Sequence, residues 1–192
     1  MWCSLEVMAR KKQYNEEEVI NKAMRLFWKN GYEATSVRML EKEMGINQFS
    51  IYASFKNKQG VFLESIKNYK KEINGIKEIL RQSNNGVTGI KQYFYNFLEF
   101  SKEGTLRKGC LVTNSVNEIK DDADPEVMVE LKKFANEIRT LFVSNLKQDD
   151  QRKEIECKAD FLMNSLLGLS IASKVFDKDQ LENIIEVTFK NL

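Results

Sequence analysis

The sequence predicts an all-α protein of about nine helices, and three observations carry that prediction. Apolar residues recur three and four apart along most of the chain, with no stretch of the strict alternation that marks a half-buried strand. One proline and nine glycines in 192 residues, 42% of them hydrophobic, leave long segments free to stay helical. Between Thr35 and Phe55 two short helical patterns meet at Gly45, the arrangement of a helix-turn-helix.

The first helix opens at Asn15, an N-cap ahead of Glu16-Glu17-Glu18, three acids at the positive end of the helix dipole. Val19, Ile20, Ala23, Met24 and Phe27 form its apolar stripe, and Asn30-Gly31 ends it. In the second, Val37, Leu40, Glu41 and Met44 share a face, Thr35 or Ser36 caps the start, and Gly45 supplies the left-handed residue that closes it. Ile46 is an apolar plug and Asn47 caps the third helix, Gln48 to Phe55, which buries Ile51 and Phe55 and turns Gln48, Phe49, Ser50, Tyr52, Ala53 and Ser54 partly outward.

A fourth helix runs from Lys58 to about Arg81 on Phe62, Ile66, Tyr69, Ile73, Ile76 and Leu80, long enough to start in one unit and end in the next. Ser83-Asn84-Asn85-Gly86 is a loop, followed by a fifth helix with Ile90, Phe94, Phe97 and Leu98 on one face. The pattern breaks from Gly104 to Gly109, and a sixth segment starts near Gly109-Cys110-Leu111. An Asp cap and Pro125 at the first helical position open the seventh, which carries Val127, Leu131, Phe134, Ile138, Leu141 and Phe142. The eighth spans about Gln151 to Val175. Its second half is apolar with small residues Ser165, Gly168, Ser170, Ala172 and Ser173, and a ninth helix follows from about Asp179 to Asn191.

Gly31-Tyr32-Glu33-Ala34-Thr35-Ser36-Val37-Arg38, then Gly45-Ile46-Asn47 and Ser50-Ile51-Tyr52-Ala53-Ser54-Phe55-Lys56-Asn57-Lys58, resembles the TetR family of bacterial transcriptional regulators from about Glu16 to Phe62, without a gap. Met39 departs from the pattern where an acid is common, and Glu41 where a small residue usually lets the two helices approach. The resemblance implies a DNA-binding domain over residues 8–58 and an effector-binding and dimerisation domain over residues 59–192.

Composition narrows the function classes. The chain has no histidine, which excludes Ser-His-Asp and Cys-His catalysis and the usual His-containing metal sites. Cys3, Cys110 and Cys157 lack metal or disulfide spacing, so neither an enzyme nor a cofactor is expected. Without an apolar run of about 18 residues or a signal-peptide core, the chain reads as cytoplasmic with no membrane partner. Met8-Ala-Arg-Lys-Lys reads as a second plausible start, with residues 1–7 upstream of it. Net charge is only +2, but residues 8–58 hold ten Lys/Arg against six Glu, so phosphate affinity belongs at this end. Arg10-Lys11-Lys12 is either a solvated terminus or an arm reaching the DNA backbone.

A recognition helix lies in the major groove with its early outward residues at base edges, which nominates Gln48 and Phe49, with Ala53 and Ser54 beyond them. Thr35, Ser36, Arg38, Asn47, Ser50, Tyr52 and Lys58 complete the candidate DNA set, chiefly as phosphate contacts that fix register. The family resemblance implies such roles for the hydroxyl opening the second helix, for Tyr52 and for Lys58. One unit reads few base pairs, so a homodimer through the last two helices is expected, on a palindromic operator.

Phe94, Phe97, Phe134, Phe142 and Phe161, with Asn114 and Asn117 as polar contacts, are candidates to line an effector cavity that takes an apolar or neutral molecule. Cys110 joins this set: a helix N-terminus with Arg107 and Lys108 alongside favours a reactive thiolate. Gly-Cys-Leu helix starts resemble those in a branch of the family that includes sensors of electrophiles or oxidants. The reading is a ligand-released homodimeric repressor. A cysteine-based sensor is the first alternative, and a helical small-molecule-binding dimer with a vestigial helix-turn-helix is the second.

Overall fold

Helix caps delimit the N-terminal elements, and each uses a short polar side chain at the expected place. The structure, a computed structural model, describes residues 14–83, 85–103, 106–116, 118–119, 125–147, 152–190 and 192. Among these are nine helices: α1 Glu16–Asn30, α2 Val37–Met44, α3 Gln48–Phe55, α4 Lys58–Gln82, α5 Gly86–Phe100, α6 Leu111–Val116, α7 Pro125–Leu146, α8 Arg152–Ala172 and α9 Lys178–Lys190. The Asn15 side chain accepts from the N–H of Glu17 at 2.9 Å, Ser36 from Met39 at 3.2 Å, Asn47 from Ser50 at 2.9 Å and Asn57 from Gly60 at 2.8 Å. Gly45 closes α2 at φ 71°, its N–H on Glu41 O.

The helical expectation holds, with one addition. Lys102–Glu103 (β1) and Leu106–Arg107 (β2) form a two-residue antiparallel ribbon where the sequence shows only a break. A ribbon of that length has too few residues to display a period of two, so pattern alone does not reveal it. Pro125 is the first residue of α7, as expected. The expected Asp cap before it, the Arg10-Lys11-Lys12 run, residues 1–7 and Asn117 lie outside the described residues.

Buried side chains run as one continuous core from α1 to α9. Phe27 meets Phe62 edge-on at 5.0 Å, and Trp28 meets Tyr69 at 5.0 Å, so α1 is packed on α4 by four aromatic rings. Farther along, α4 buries Tyr69, Ile73 and Leu80 among α5 and α7. At ~1.5–3 kcal/mol for each large apolar side chain taken from water, α4 is held firmly at both ends. Lys70 and Lys77 fasten it to Glu130 and Glu137 of α7. No helix among the described residues is long and apolar enough to cross a membrane.

Candidate nucleic-acid interface and apolar cavity

α3 is amphipathic in an unusual sense: it buries Ile51 and Phe55 and leaves a large apolar ring outside. Phe49 is 82% exposed, and Gln48, Tyr52 and Ala53 are exposed beside it. An exposed phenylalanine on a short, well-capped helix contributes nothing to the core, which makes this face a candidate contact surface. Ser36, Arg38 and Asn47 are exposed on the same unit. The Lys58 ammonium sits 4.2 Å above the Tyr32 ring and 3.5 Å from Glu33 O. Partial desolvation holds it below the usual lysine range, against the opposing charges of Glu33 and Glu118.

Two expected DNA residues are otherwise engaged. Thr35 is fully buried and its hydroxyl donates to Gly31 O at 2.6 Å, so it fastens the α1–α2 turn instead of presenting a hydroxyl outward. Ser54 is half-buried, with its hydroxyl 2.6 Å from that of Tyr14. The Tyr14 hydroxyl also donates to Ser50 O, so the residue just ahead of α1 clamps the back of α3. Sequence spacing placed these groups on the right helices but did not identify their partners.

The exit from α3 is rigid. Asn57 N–H bonds to Phe55 O at 2.8 Å around Lys56, whose φ of 68° makes this a tight γ-turn. A Cβ on Gly60 would lie 1.9 Å from Phe55 O, so only glycine lets α4 begin this close to the end of α3.

Glu41, the departure from the family pattern, has a local role. Its carboxylate accepts from Gln48 N–H at 2.5 Å, satisfying the first orphan donor of α3 and placing a negative charge at the helix's positive end.

In the C-terminal part, an apolar cavity of about 30 Å³ lies among α4–α8. Phe97, Cys110 and Phe134 line it as expected, together with Ile73, Tyr93 and Ser170. Four expected lining residues are elsewhere. Phe94 and Phe142 pack on each other with ring centroids 6.1 Å apart, away from the lumen. Asn114 donates to Lys108 O at 2.8 Å, bracing the loop before α6. Phe161 is 51% exposed because its position on α8 turns it away from the bundle. Aromatic spacing identifies a helix face but does not say whether that face meets a void, a neighbour or solvent.

Cys110 is buried. Its thiol accepts from the Tyr69 hydroxyl at 3.4 Å and its N–H donates to Ser170 Oγ at 2.8 Å. The neighbouring cations do not face it: Arg107 donates to Leu98 O and Lys108 lies over the Trp28 ring. Of the two expected features, the position just ahead of α6 is present, while the two cations are engaged elsewhere. Gly109, at φ 66°, would place a Cβ 2.7 Å from Ser170 O, so glycine is required for the loop to lie on α8. The Gly109 carbonyl accepts from Trp28 Nε1 at 3.0 Å, linking the cavity wall directly to α1.

The exposed apolar residues of the last helices form a stripe. Phe161, Leu167 and Ile171 (α8), Val175 and Phe176 after it, and Val187 (α9) are between 42% and 78% exposed. Of the small residues expected on this face, Ser165 and Gly168 lie on the outer side, whereas Ser170 and Ser173 are buried against the α6 loop.

The model for bacterial regulatory proteins of the tetR family matches residues 19–65, the segment that builds α1 to α3 and the start of α4. The uncharacterized HTH-type transcriptional regulator YezE of Bacillus subtilis is 26% identical over 194 residues, covering 96% of this chain and 100% of that protein. The HTH-type transcriptional repressor ComR of Escherichia coli is 26% identical over 193 residues, covering 96% and 90%. Among solved structures, a cysteine mutant of the regulator CifR in complex with 26-base-pair operator DNA superposes with a TM-score of 0.81 at 23% identity, covering 94% of this chain and 98% of that one.

Proposed function

Because this chain belongs to the TetR family of bacterial transcriptional regulators, we propose that it is a homodimeric repressor that binds a palindromic operator and leaves it when a small apolar or neutral molecule enters the cavity. Residues 8–58 serve as the DNA-binding domain and residues 59–192 as the effector-binding and dimerisation domain, in a cytoplasmic protein. The observation that carries this reading is the 82% exposure of Phe49, next to exposed Gln48, on a helix capped at Asn47 and clamped by Tyr14. Gln48 pairs with adenine through its amide and Phe49 packs on a thymine methyl, while Ser36, Arg38, Tyr52 and Lys58 hold phosphates.

The apolar stripe on α8 and α9 supports dimerisation, since exposed apolar groups at helical spacing gain most by pairing across a two-fold axis. Ligand entry acts through the fourth helix and the Trp28–Gly109 bond, shifting a two-state equilibrium by differential affinity. A gel shift on DNA flanking the protein's own gene tests the reading. Specific, salt-sensitive retention that Gln48→Ala abolishes supports it; no retention on any neighbouring fragment overturns it.

A second reading, oxidation or alkylation of Cys110 as the release signal, has one observation in its favour: the thiol lines the cavity. Operator release that survives Cys110→Ser removes this reading and leaves the first intact.

A further inference from the structure

One residue on the cavity wall carries a polar group that the described residues leave unused. Tyr93 of α5 lines the cavity, its side chain is buried, and its hydroxyl has no hydrogen-bond partner among the described residues. Nearby polar groups are already committed in part: Tyr69 donates to the Cys110 thiol, and Ser170 Oγ accepts from Cys110 N–H. Among the described residues, none that lines the space is charged. Buried hydroxyls are paired in the great majority of cases, so an orphan one on a residue that lines a cavity, within electrostatic reach of Cys110 on the same wall, marks a place for an exogenous acceptor.

We propose that the cavity takes a small, uncharged, mainly apolar molecule bearing a single hydrogen-bond acceptor, a carbonyl above all, which receives the Tyr93 hydroxyl. This deepens the effector reading given above and rests on it. Three physical points fix the class. An ion is excluded, because no lining group offers a counter-charge and an unpaired buried charge is strongly unfavourable. Burial pushes the Tyr93 phenol well above its usual range, so it stays protonated and available as a donor. A free volume of about 30 Å³ admits little more than one small group, so a larger ligand enters by displacing Met163, Leu166 and Leu167 on the α8 side.

Tyr93 was not among the residues singled out from sequence, because its ring completes a helical apolar stripe and its hydroxyl is silent in that pattern. Loop contacts connect it to DNA binding. Cys110 lines the same cavity and interacts electrostatically with Tyr93, Gly109 precedes Cys110, and Gly109 O holds Trp28 of α1.

The test uses the full-length protein and two probes of equal heavy-atom count, cyclohexanone and methylcyclohexane, titrated by calorimetry and by thermal midpoint. Wild type is expected to bind cyclohexanone at least tenfold more tightly than Tyr93→Phe does, and the two proteins to bind methylcyclohexane alike. Without probe, Tyr93→Phe is expected to melt no lower than wild type, because an unpaired hydroxyl contributes nothing to folding. Equal cyclohexanone affinity in the two proteins overturns the proposal, as does failure of wild type to bind it. A lower midpoint for unliganded Tyr93→Phe also overturns it, since the hydroxyl is then already satisfied, by water for example. A parallel gel shift separates the readings: retained DNA binding with no ketone binding sinks this inference alone, whereas absent DNA binding sinks the regulator reading whatever the titration gives.

Discussion

The Glu41 carboxylate and the Gln48 backbone N–H, seven residues apart, are joined across the turn of the helix-turn-helix at 2.5 Å. A small residue at this position would let α2 and α3 approach; glutamate instead supplies a cap from the preceding helix. The bond fixes α3 at its first residue, where base reading is proposed. Replacement by alanine removes one acceptor and a favourable dipole interaction, together ~1 kcal/mol, or roughly 2–4 °C in a domain of this size. Glu41→Gln keeps an acceptor oxygen and is expected to retain most of the stability. Thermal melts of the two variants decide this, and an alanine variant as stable as wild type would show the bond to be idle.

Phe49 and Arg38 should separate specificity from general attraction. Phe49→Ala leaves the melting midpoint unchanged, because the ring is 82% exposed. It is expected to cost ~1–3 kcal/mol of preference for the specific operator while leaving the salt slope as it was. Arg38→Ala should weaken binding to all sequences alike and reduce the salt slope by about one. Gel shifts on specific and scrambled DNA at several salt concentrations measure both. A uniform loss with Phe49→Ala would move base reading elsewhere on α3.

The exposed stripe of α8 predicts the response of the assembly. Ile171 is 53% exposed and Phe161 51%, so Ile171→Glu with Phe161→Glu leaves most of each monomer's core intact while placing charges on the proposed two-fold interface. Expected are a monomer by light scattering, a far-ultraviolet helical signal close to wild type, and operator affinity lowered by at least a hundredfold. A double variant that remains dimeric would place the interface on another face.

The parts most legible in the sequence were those set by local chemistry. Asn15, Ser36 and Asn47 cap the helices they precede, Gly45 is left-handed, and the α4 and α7 stripes are buried almost position by position. What escaped depends on which distant groups meet. Thr35 reads in sequence as a cap or phosphate contact and Ser54 as a base-edge group, whereas their hydroxyls meet Gly31 O and the Tyr14 hydroxyl. Phe161 follows the same helical spacing as the lining aromatics yet faces outward, because rotation of α8 about its own axis is set by packing, not by period. Tyr93 was invisible for the reverse reason: it reads as core, and only the absence of a partner for its hydroxyl distinguishes it.

The α4–α7 clamp makes stability pH-dependent in a predictable direction. Lys77 is only 5% exposed and is held by Glu137 at 2.9 Å, while Lys70 bridges Glu137 and Glu130. Burial pushes the Glu137 carboxyl up, but Lys77 and Lys70 outweigh it and hold the group below the ordinary glutamate value of 4.5. Glu130 is held low by Lys133 first, then Lys70. Lys70 itself is raised above 10.5 by the same carboxylates, in spite of its burial. A carboxylate lowered by folding contributes its full stability above its unfolded value and loses it as pH falls through the folded one. A lysine raised by folding contributes below its unfolded value and loses the contribution as pH rises through the folded one. The clamp is therefore complete at neutral pH and dissolves in acid, below about pH 4.5. At pH 7 Glu137→Gln leaves the Lys77 ammonium poorly paired. Because Glu137 is 43% exposed, solvent screens the loss to about 1–2 kcal/mol, less than a fully buried pair would show. The difference between wild type and variant should shrink as pH falls through the lowered folded-state value of Glu137, where the wild-type carboxyl becomes protonated as well. Adding Lys77→Met to Glu137→Gln removes the stranded charge and should recover most of the loss at pH 7. Midpoints across the acid range test both statements, and a gap that stays constant with pH would assign the effect of Glu137→Gln to packing rather than charge.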